Sequence, residues 1–436
     1  MLGYDIEQRL LTKEQKQAIG LLSVGTFLEY FDLMLYVHMA VLLNELFFPK
    51  ADPQVAFIYS AAAFCSTYLL RPLGALIFGW IGDTIGRKST VIITTIMMSL
   101  SCLVMANLQT YEEAGAKAAW LVTACRIVQG MACMGEAVGA ELYLAEMVKL
   151  PARYMAVSLV TVFATLGGAA ALGVASLVTS FGFNWRLAFW FGAVVAFIGS
   201  LARTNLRETP EFVDAKRRIK KTFEKAKIDT KYLESNPAWQ QKVSKKTSLA
   251  YFLIECTGPL WFCITYIHCG NILKENFNFT PAQVIHQNLI VGLVELIATI
   301  VLSYLVYRIH PLKILKVRLI IFSIFAIISP ILLRNVSNFY ELFFFQIFIV
   351  IFAPTGFTAF AVFCMYFPVF KRFKYTSFIF ATSRALMYAV ASFGIVFLTN
   401  HFGYWGLLLI IIPVLVGYRF GLNHFKKLEI ASGNYF

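Results

Sequence analysis

The chain has 436 residues, 59% of them hydrophobic and 14% charged, with a mean hydropathy of +0.69 and a formal net charge of +14. These fractions exclude a water-soluble enzyme or binding module and make a lipid bilayer the natural solvent. A spanning helix needs about 20 mostly apolar residues, so an apolar content of roughly 257 residues is enough for about twelve spans. A pI of about 9.3 would suit nucleic acid in a soluble protein, but in a membrane chain Lys and Arg collect on the cytoplasmic side, so no nucleic-acid partner is expected.

Residues 1–17 carry Asp5, Glu7, Arg9, Lys13, Glu14 and Lys16 and lack the apolar core and small-residue cleavage site of a signal peptide, so the first span is expected to act as its own insertion signal. Apolar runs then fall near 18–44, 55–80, 89–109, 118–146, 155–180, 186–202, 248–270, 284–307, 315–333, 339–366, 375–399 and 403–421. This predicts an all-α membrane protein of twelve spans in two six-helix bundles, 18–202 and 248–421. Eight cysteines (Cys65, Cys102, Cys125, Cys133, Cys256, Cys263, Cys269 and Cys364) sit singly in apolar stretches without a CxxC or Cys/His ligand spacing, so they read as reduced packing residues.

Between the bundles lies the one long polar segment, 203–247, with 13 Lys/Arg against 6 Asp/Glu. It reads as a solvated, helical cytoplasmic linker, although its basic surface can also meet anionic lipid heads. With the N-terminus inside, the inner segments hold Arg9, Lys13, Lys16, Arg87, Lys88, Lys149, Arg153, the linker, Arg308 to Arg318, Lys371, Arg372, Lys374 and the basic tail 422–436. The outer ones keep only Lys50, Lys117, Arg186, Lys274 and Arg334, so both termini are expected in the cytoplasm.

After the second run comes Gly79-Trp80-Ile81-Gly82-Asp83-Thr84-Ile85-Gly86-Arg87-Lys88. Its glycines permit a tight turn between packed helices, and Asp83 can accept from a neighbouring helix N-terminus or pair with a cation, a closure that holds in one state and breaks in another. This stretch resembles the G-x-x-x-D-x-x-G-R-K loop signature of the major facilitator superfamily, and it falls where that family has it, between spans two and three on the basic side. Thr84 replaces a residue often basic there, which predicts a thinner charge network. The equivalent loop between spans eight and nine, Tyr307 to Lys313, lacks the Asp and the Gly-Arg.

Four further stretches narrow the resemblance to the metabolite:proton symporter family, which includes proline/betaine, α-ketoglutarate, citrate and shikimate carriers. Gly25-Thr26-Phe27-Leu28-Glu29-Tyr30-Phe31-Asp32 is similar to G-N-x-x-E-W-F-D, with Thr26 and Tyr30 substituted. Arg71-Pro72-Leu73-Gly74 precedes the loop. Arg126-Ile127-Val128-Gln129-Gly130, then Gly135-Glu136 through Glu146, resembles R-x-x-Q-G…G-E-x-x-G-A…Y-L-x-E. Trp185-Arg186, Arg203 and Leu206-Arg207-Glu208-Thr209-Pro210-Glu211-Phe212 complete the set. The matches cover 20–212, and the C-terminal half agrees in hydropathy alone.

An ionisable residue in hydrocarbon costs about 2.5–3.5 kcal/mol on insertion scales, which makes it a functional candidate. Glu29 and Asp32, three residues apart on one helix face, are the first candidates for proton coupling, and Glu136 is the third. Both carboxylates of the first span can equally be helix–helix anchors. Arg126 can meet a substrate carboxylate or neutralise a buried Glu. Tyr143 shares a face with Glu136, and Arg384 is a cation deep in span eleven. Tyr266 belongs with Tyr36, Trp261, His268, Tyr366 and Tyr388 as an aromatic that can line a cavity and suit a quaternary ammonium group, against the plainer reading of core packing. Arg126, Tyr143, Tyr266 and Arg384 thus form the expected substrate set. Arg71, Asp83, Arg87 and Glu146 form the expected gate, Glu146 pairing with Arg87. Gly135 and Gly139 form a close-packing GxxxG face, and Gly167, Gly168 and Gly173 read as packing residues.

The resemblance implies proton-coupled symport of a small polar metabolite by alternating access across a cell inner membrane. No Ser/His/Asp, metal-ligand or phosphate-loop pattern supports an enzyme, a metal or a cofactor, and no oligomer is implied. Zwitterions such as proline or glycine betaine stand ahead of di- and tricarboxylates, because Arg126 with Glu29, Asp32 and aromatics offers both signs, whereas a dicarboxylate needs two cations. A transporter-derived sensor or scaffold without transport is the alternative class. The chain stops about 15 residues past span twelve, so the C-terminal coiled coil of some osmosensing relatives, and osmotic activation with it, is not expected.

Overall fold

The structure, a computed structural model, describes residues 8, 10–39, 43, 46–48, 68–181, 184–204, 206–225 and 241–435. Residues 1–7 of the signal-free segment, Lys50, the first half of the second apolar run with Cys65, and linker residues 226–240 lie outside the described residues.

In the first half the described helices are α1 (Lys13–His38), α2 (Arg71–Thr84), α3 (Arg87–Ala106), α4 (Ala116–Met147), α5 (Ala152–Phe181) and α6 (Trp185–Arg203). A linker helix α7 (Pro210–Lys225) follows. The second half holds α8 (Lys245–Phe277), α9 (Pro281–Arg308), α10 (Pro311–Arg334), α11 (Phe339–Phe352), α12 (Val369–Phe402) and α13 (Leu408–Ala431). Among the described residues nine stretches are long and apolar enough to cross a membrane, with 369–431 counted as one although a 3₁₀ turn, Gly403–Leu407, divides it.

Local chemistry sets these boundaries. Thr12 starts α1 with a capping box to Gln15, Thr280 does the same with Gln283 before Pro281 at the first position of α9, and Asn278 closes α8 in a left-handed conformation. α1 therefore begins five residues ahead of the expected first span. α13 likewise runs ten residues past position 421 and buries Phe425 and Glu429, so 422–431 continues the last helix.

Two irregularities interrupt the second half. Within α8, Cys263–His268 forms a π-helical turn. After α11 the chain leaves helix at Ala353 and returns in short turns, Phe357–Ala359, Phe360–Phe363 and Cys364–Tyr366. Side chains satisfy the carbonyls freed at this break: Trp261 Nε1 donates to Pro354 O at 2.9 Å and the Tyr418 hydroxyl to Thr355 O at 3.0 Å. Exposed polar backbone cannot face lipid, so the break is held inside the bundle.

Inside the first half α1 packs on α5, α3 on α4 and α6, and α2 on α4; the halves meet chiefly through α2 against α12 and α5 against α9. At Gly82 an added Cβ would run into the Phe373 ring, and at Gly79 it would sit 2.6 Å from the Lys374 Cα. The glycines of the loop signature therefore serve the contact between halves as well as the turn. Gly135 does the same within the first half, against Thr94 of α3. The linker departs from a solvated segment at its start, where Leu206, Thr209 and Phe212 are buried against the first half.

Candidate functional site

Two polar centres stand out in the apolar interior, one at the loop end of the bundle and one between the halves. At the loop end, Arg87 makes a forked contact with Glu146, Nε to Oε2 at 3.0 Å and Nη2 to Oε1 at 2.9 Å. Arg87 Nη1 also reaches Asp83 at 3.3 Å, and the Phe212 ring lies under the guanidinium, 4.5 Å from its centroid. From the other half, Arg372 meets Glu146 at 3.0 Å and Glu211 at 2.9 Å, while Thr209 donates to Glu146 at 2.8 Å. Asp83 accepts from the backbone amides of Phe373 at 3.0 Å and Lys374 at 2.8 Å, in the first turns of α12. The network is therefore denser than the loop alone predicted. Arg372 of α12 and the linker's Glu211 and Thr209 supply what Thr84 does not.

The divergent loop of the second half has its own strut. His310 lies 3.1 Å from Glu429 and 3.4 Å from the Tyr154 hydroxyl of α5, and Tyr366 donates to Glu429 at 2.6 Å. Tyr366 is thus committed at this end, away from the cavity.

Between the halves lies a cavity of about 260 Å³, below the usual volume of a drug-sized pocket and suited to a small solute. Its polar lining includes Tyr30 and Glu141 of the first half, and Glu255, Tyr266, Glu295, Arg318, Arg384 and Tyr388 of the second. Arg384 is already neutralised by Glu255 at 2.7 Å, and its guanidinium stacks on the Phe380 ring at 3.4 Å. Tyr266 donates to Glu295 at 2.6 Å, Thr161 donates to Glu141 at 3.1 Å, and Trp261 adds an aromatic wall. Charges of both signs and aromatic faces thus share one space between the halves, largely walled by protein, where electrostatic contacts are stronger than in water.

Of the expected substrate residues, Tyr266 and Arg384 line this cavity, but Arg126 and Tyr143 do not. Arg126 is buried within the first half, 3.4 Å from Asp32 and 2.9 Å from Gln129, under the Tyr36 ring at 4.1 Å, contacts that match the neutralisation of a buried carboxylate. Tyr143 lies away from the cavity, its hydroxyl donating to the Arg207 carbonyl near the loop end. Among the expected coupling residues, Glu29 is buried beside α4, accepting from the Cys133 thiol, and Asp32 faces Arg126 and Cys102. The side chain of Glu136 lies outside the described residues. Arg71 is buried over the Tyr68 ring at 4.4 Å, inside the first half. Of the other expected cavity aromatics, Trp261 and Tyr388 line it, whereas Tyr36 and His268 pack elsewhere.

Glu255, Glu295 and Arg318 drew no attention in the sequence, and Glu141 appeared only inside a motif. The signal was the one that marked Glu29, an ionisable residue within an apolar run, but past 212 no motif resemblance singles out Glu255, Glu295 or Arg318.

Among solved structures, the proton:xylose symporter XylE bound to 6-bromo-6-deoxy-D-glucose superposes with a TM-score of 0.71 at 14% identity, covering 92% of this chain and 94% of that one. The human organic anion transporter MFSD10 gives 0.68 at 14% identity, covering 94% and 100%. These show a common twelve-helix fold. In sequence, the proline/betaine transporter of Escherichia coli K12 is 32% identical over 204 residues, 45% of this chain and 41% of that protein. The glycine betaine/proline/ectoine/pipecolic acid transporter OusA of Dickeya dadantii is 33% identical over the same shares. The E. coli inner membrane metabolite transport protein YhjE is 29% identical over 272 residues, 61% of this chain and 59% of that one. The chain thus spans less than half the length of the proline/betaine relatives it matches. The Major Facilitator Superfamily profile matches residues 22–272, more than half the chain. With that match, the two-half helical bundle and the cavity between the halves, the chain belongs to the Major Facilitator Superfamily.

Proposed function

We propose that the protein is a proton-coupled symporter of a small zwitterionic solute, of the proline or glycine betaine kind, working by alternating access around the cavity between its halves. The observation that carries this reading is the lining itself, with Glu141, Glu255 and Glu295 set against Arg318 and Arg384 among Tyr30, Trp261, Tyr266 and Tyr388. A zwitterion needs an acidic or aromatic partner for its cation and one cation for its carboxylate. The solutes in the names of the matched relatives share that chemistry. Proton-driven uptake of a solute panel by cells expressing the protein tests it: accumulation of proline or betaine is expected, and accumulation of α-ketoglutarate or citrate alone would select the carboxylate class instead. Absence of any uptake would favour a sensor or scaffold.

Proton coupling is assigned to the carboxylates of α1. Asp32 is matched by Arg126, and Glu29 lies buried on the same helix, accepting from the Cys133 thiol, as the carboxylate proposed to carry the proton. Glu29→Gln should therefore abolish accumulation driven by an imposed pH gradient while solute exchange persists, because an amide hydrogen-bonds but carries no proton. Uptake in the variant that still follows the gradient would remove Glu29 from the coupling role.

Both termini and the linker are placed in the cytoplasm by the 13 Lys/Arg of 203–247. A cysteine introduced at Ser235, outside the described residues, should resist an impermeant thiol reagent in intact cells and react after permeabilisation. Equal labelling in both would invert the topology.

A further inference from the structure

Among the described residues, Arg71 is buried over the Tyr68 ring with its Nε unpartnered and does not line the cavity, whereas most other buried arginines are matched. Arg87 and Arg372 share Glu146, Arg126 faces Asp32, Arg384 faces Glu255, and Arg203 is held by the Leu21 and Leu22 carbonyls and Thr95. Arg318 of α10 differs. It is 5% exposed and lines the cavity, yet among the described residues its one hydrogen bond is a long one, Nη1 to the Thr355 hydroxyl at 3.4 Å. Its Nε has no partner, and no carboxylate forms an ion pair with it. Glu295, another residue of the cavity wall, acts on it electrostatically without forming an ion pair and is engaged by Tyr266.

A desolvated guanidinium without an ion-pair partner is costly, and one that lines a cavity is placed to receive an anion from a solute. Thr355 sits at the break after α11, where its carbonyl is fixed by Tyr418, so Arg318 is held by a rigid, non-helical segment facing the cavity. On the first half, Glu141 is the mirror case: a cavity carboxylate whose one hydrogen bond comes from Thr161, with no cation paired to it among the described residues.

We infer that Arg318 anchors the carboxylate of a zwitterionic solute, with Glu141, from the opposite half, receiving its cationic end. This rests on the transport reading above and names the two groups that would define its substrate class. Because one charge comes from each half, a solute bearing both signs answers these two charges at once and ties the halves together. A solute with a single sign leaves one buried charge unanswered. Arg384 is excluded as the anchor because Glu255 already occupies it.

The test is thermal unfolding of the purified full chain with glycine betaine, with choline, which keeps the quaternary ammonium and lacks the carboxylate, and with succinate. The wild type should be stabilised by betaine and not by choline or succinate. Arg318→Gln should weaken the betaine half-saturation at least tenfold, while its ligand-free midpoint stays unchanged or rises, since an unpaired buried charge has gone. Arg318→Lys should bind betaine between the two. An Arg318→Gln protein that keeps the wild-type betaine response overturns the anchor while leaving the transport reading intact. A ligand-free midpoint that falls in Arg318→Gln and recovers in Arg318→Lys without recovery of binding overturns it in favour of a structural arginine. A wild type indifferent to betaine overturns the zwitterion reading itself, and the anchor with it.

Discussion

Asp83→Asn should speed thiol labelling of a cysteine placed at Ser377 by about tenfold to a hundredfold. Ser377 is fully buried where α12 crosses α2, its hydroxyl 3.5 Å from the Ala75 carbonyl, so a reagent reaches it only when the halves part at this end. Asp83 holds that contact by accepting from two amides of α12 and pairing with Arg87. Hydrogen bonds to a charged group contribute about 1.5–3 kcal/mol, and every 1.4 kcal/mol is about a tenfold change in population. The amide of Asn keeps the shape and discards the charge, so folding should survive while the closed state loses weight. Glu146→Gln should act more severely and lower the unfolding midpoint as well, because it leaves Arg87 and Arg372 buried without their shared anion, a loss of about 3–5 kcal/mol. Labelling at Ser377 that ignores Asp83→Asn would show that the network does not set this closure.

Arg384→Met should destabilise the protein by about 3–5 kcal/mol and end uptake, since Glu255 is then left buried without a cation. Adding Glu255→Gln should recover most of the stability, because a neutral pair of similar shape removes the uncompensated charge. Unfolding midpoints of the two single variants and the double variant measure the coupling. Uptake then separates the roles. If the double variant transports, the pair is structural; if it folds well and stays inactive, the pair contacts the solute. Midpoints that simply add would mean the 2.7 Å contact contributes little.

The fold was legible because a bilayer imposes a single pattern, about 20 apolar residues per crossing, and because Asp83, Arg87 and Glu146 occur in motifs whose order survives in the first half. The cavity was less legible, and Arg318 and Glu295 show why. Each looks, in the chain, like any other charge near an apolar run, and the count that placed Arg308 to Arg318 on the inner side absorbed Arg318 as a topological marker. α10 begins at Pro311, so Arg318 already lies two turns into the helix and inside the bundle. Arg126 shows the limit in another way, because the sequence left two partners open for it. It was a good candidate by residue type, but α4 turns it towards Asp32 of its own half, a rotation that spacing alone does not fix for a helix apolar on most faces.

The π-helical turn Cys263–His268 has a consequence for any residue-by-residue scan of α8. Accommodating one extra residue rotates everything beyond it by about 100° relative to an unbroken helix. Trp261 and Tyr266 straddle the start of that turn and both face the cavity. In a cysteine scan over 250–277, reactivity should therefore follow one helical wheel up to about 262 and a second, displaced wheel after 268. Water-filled positions on the far side would be misassigned to lipid by anyone drawing a single projection through the whole span.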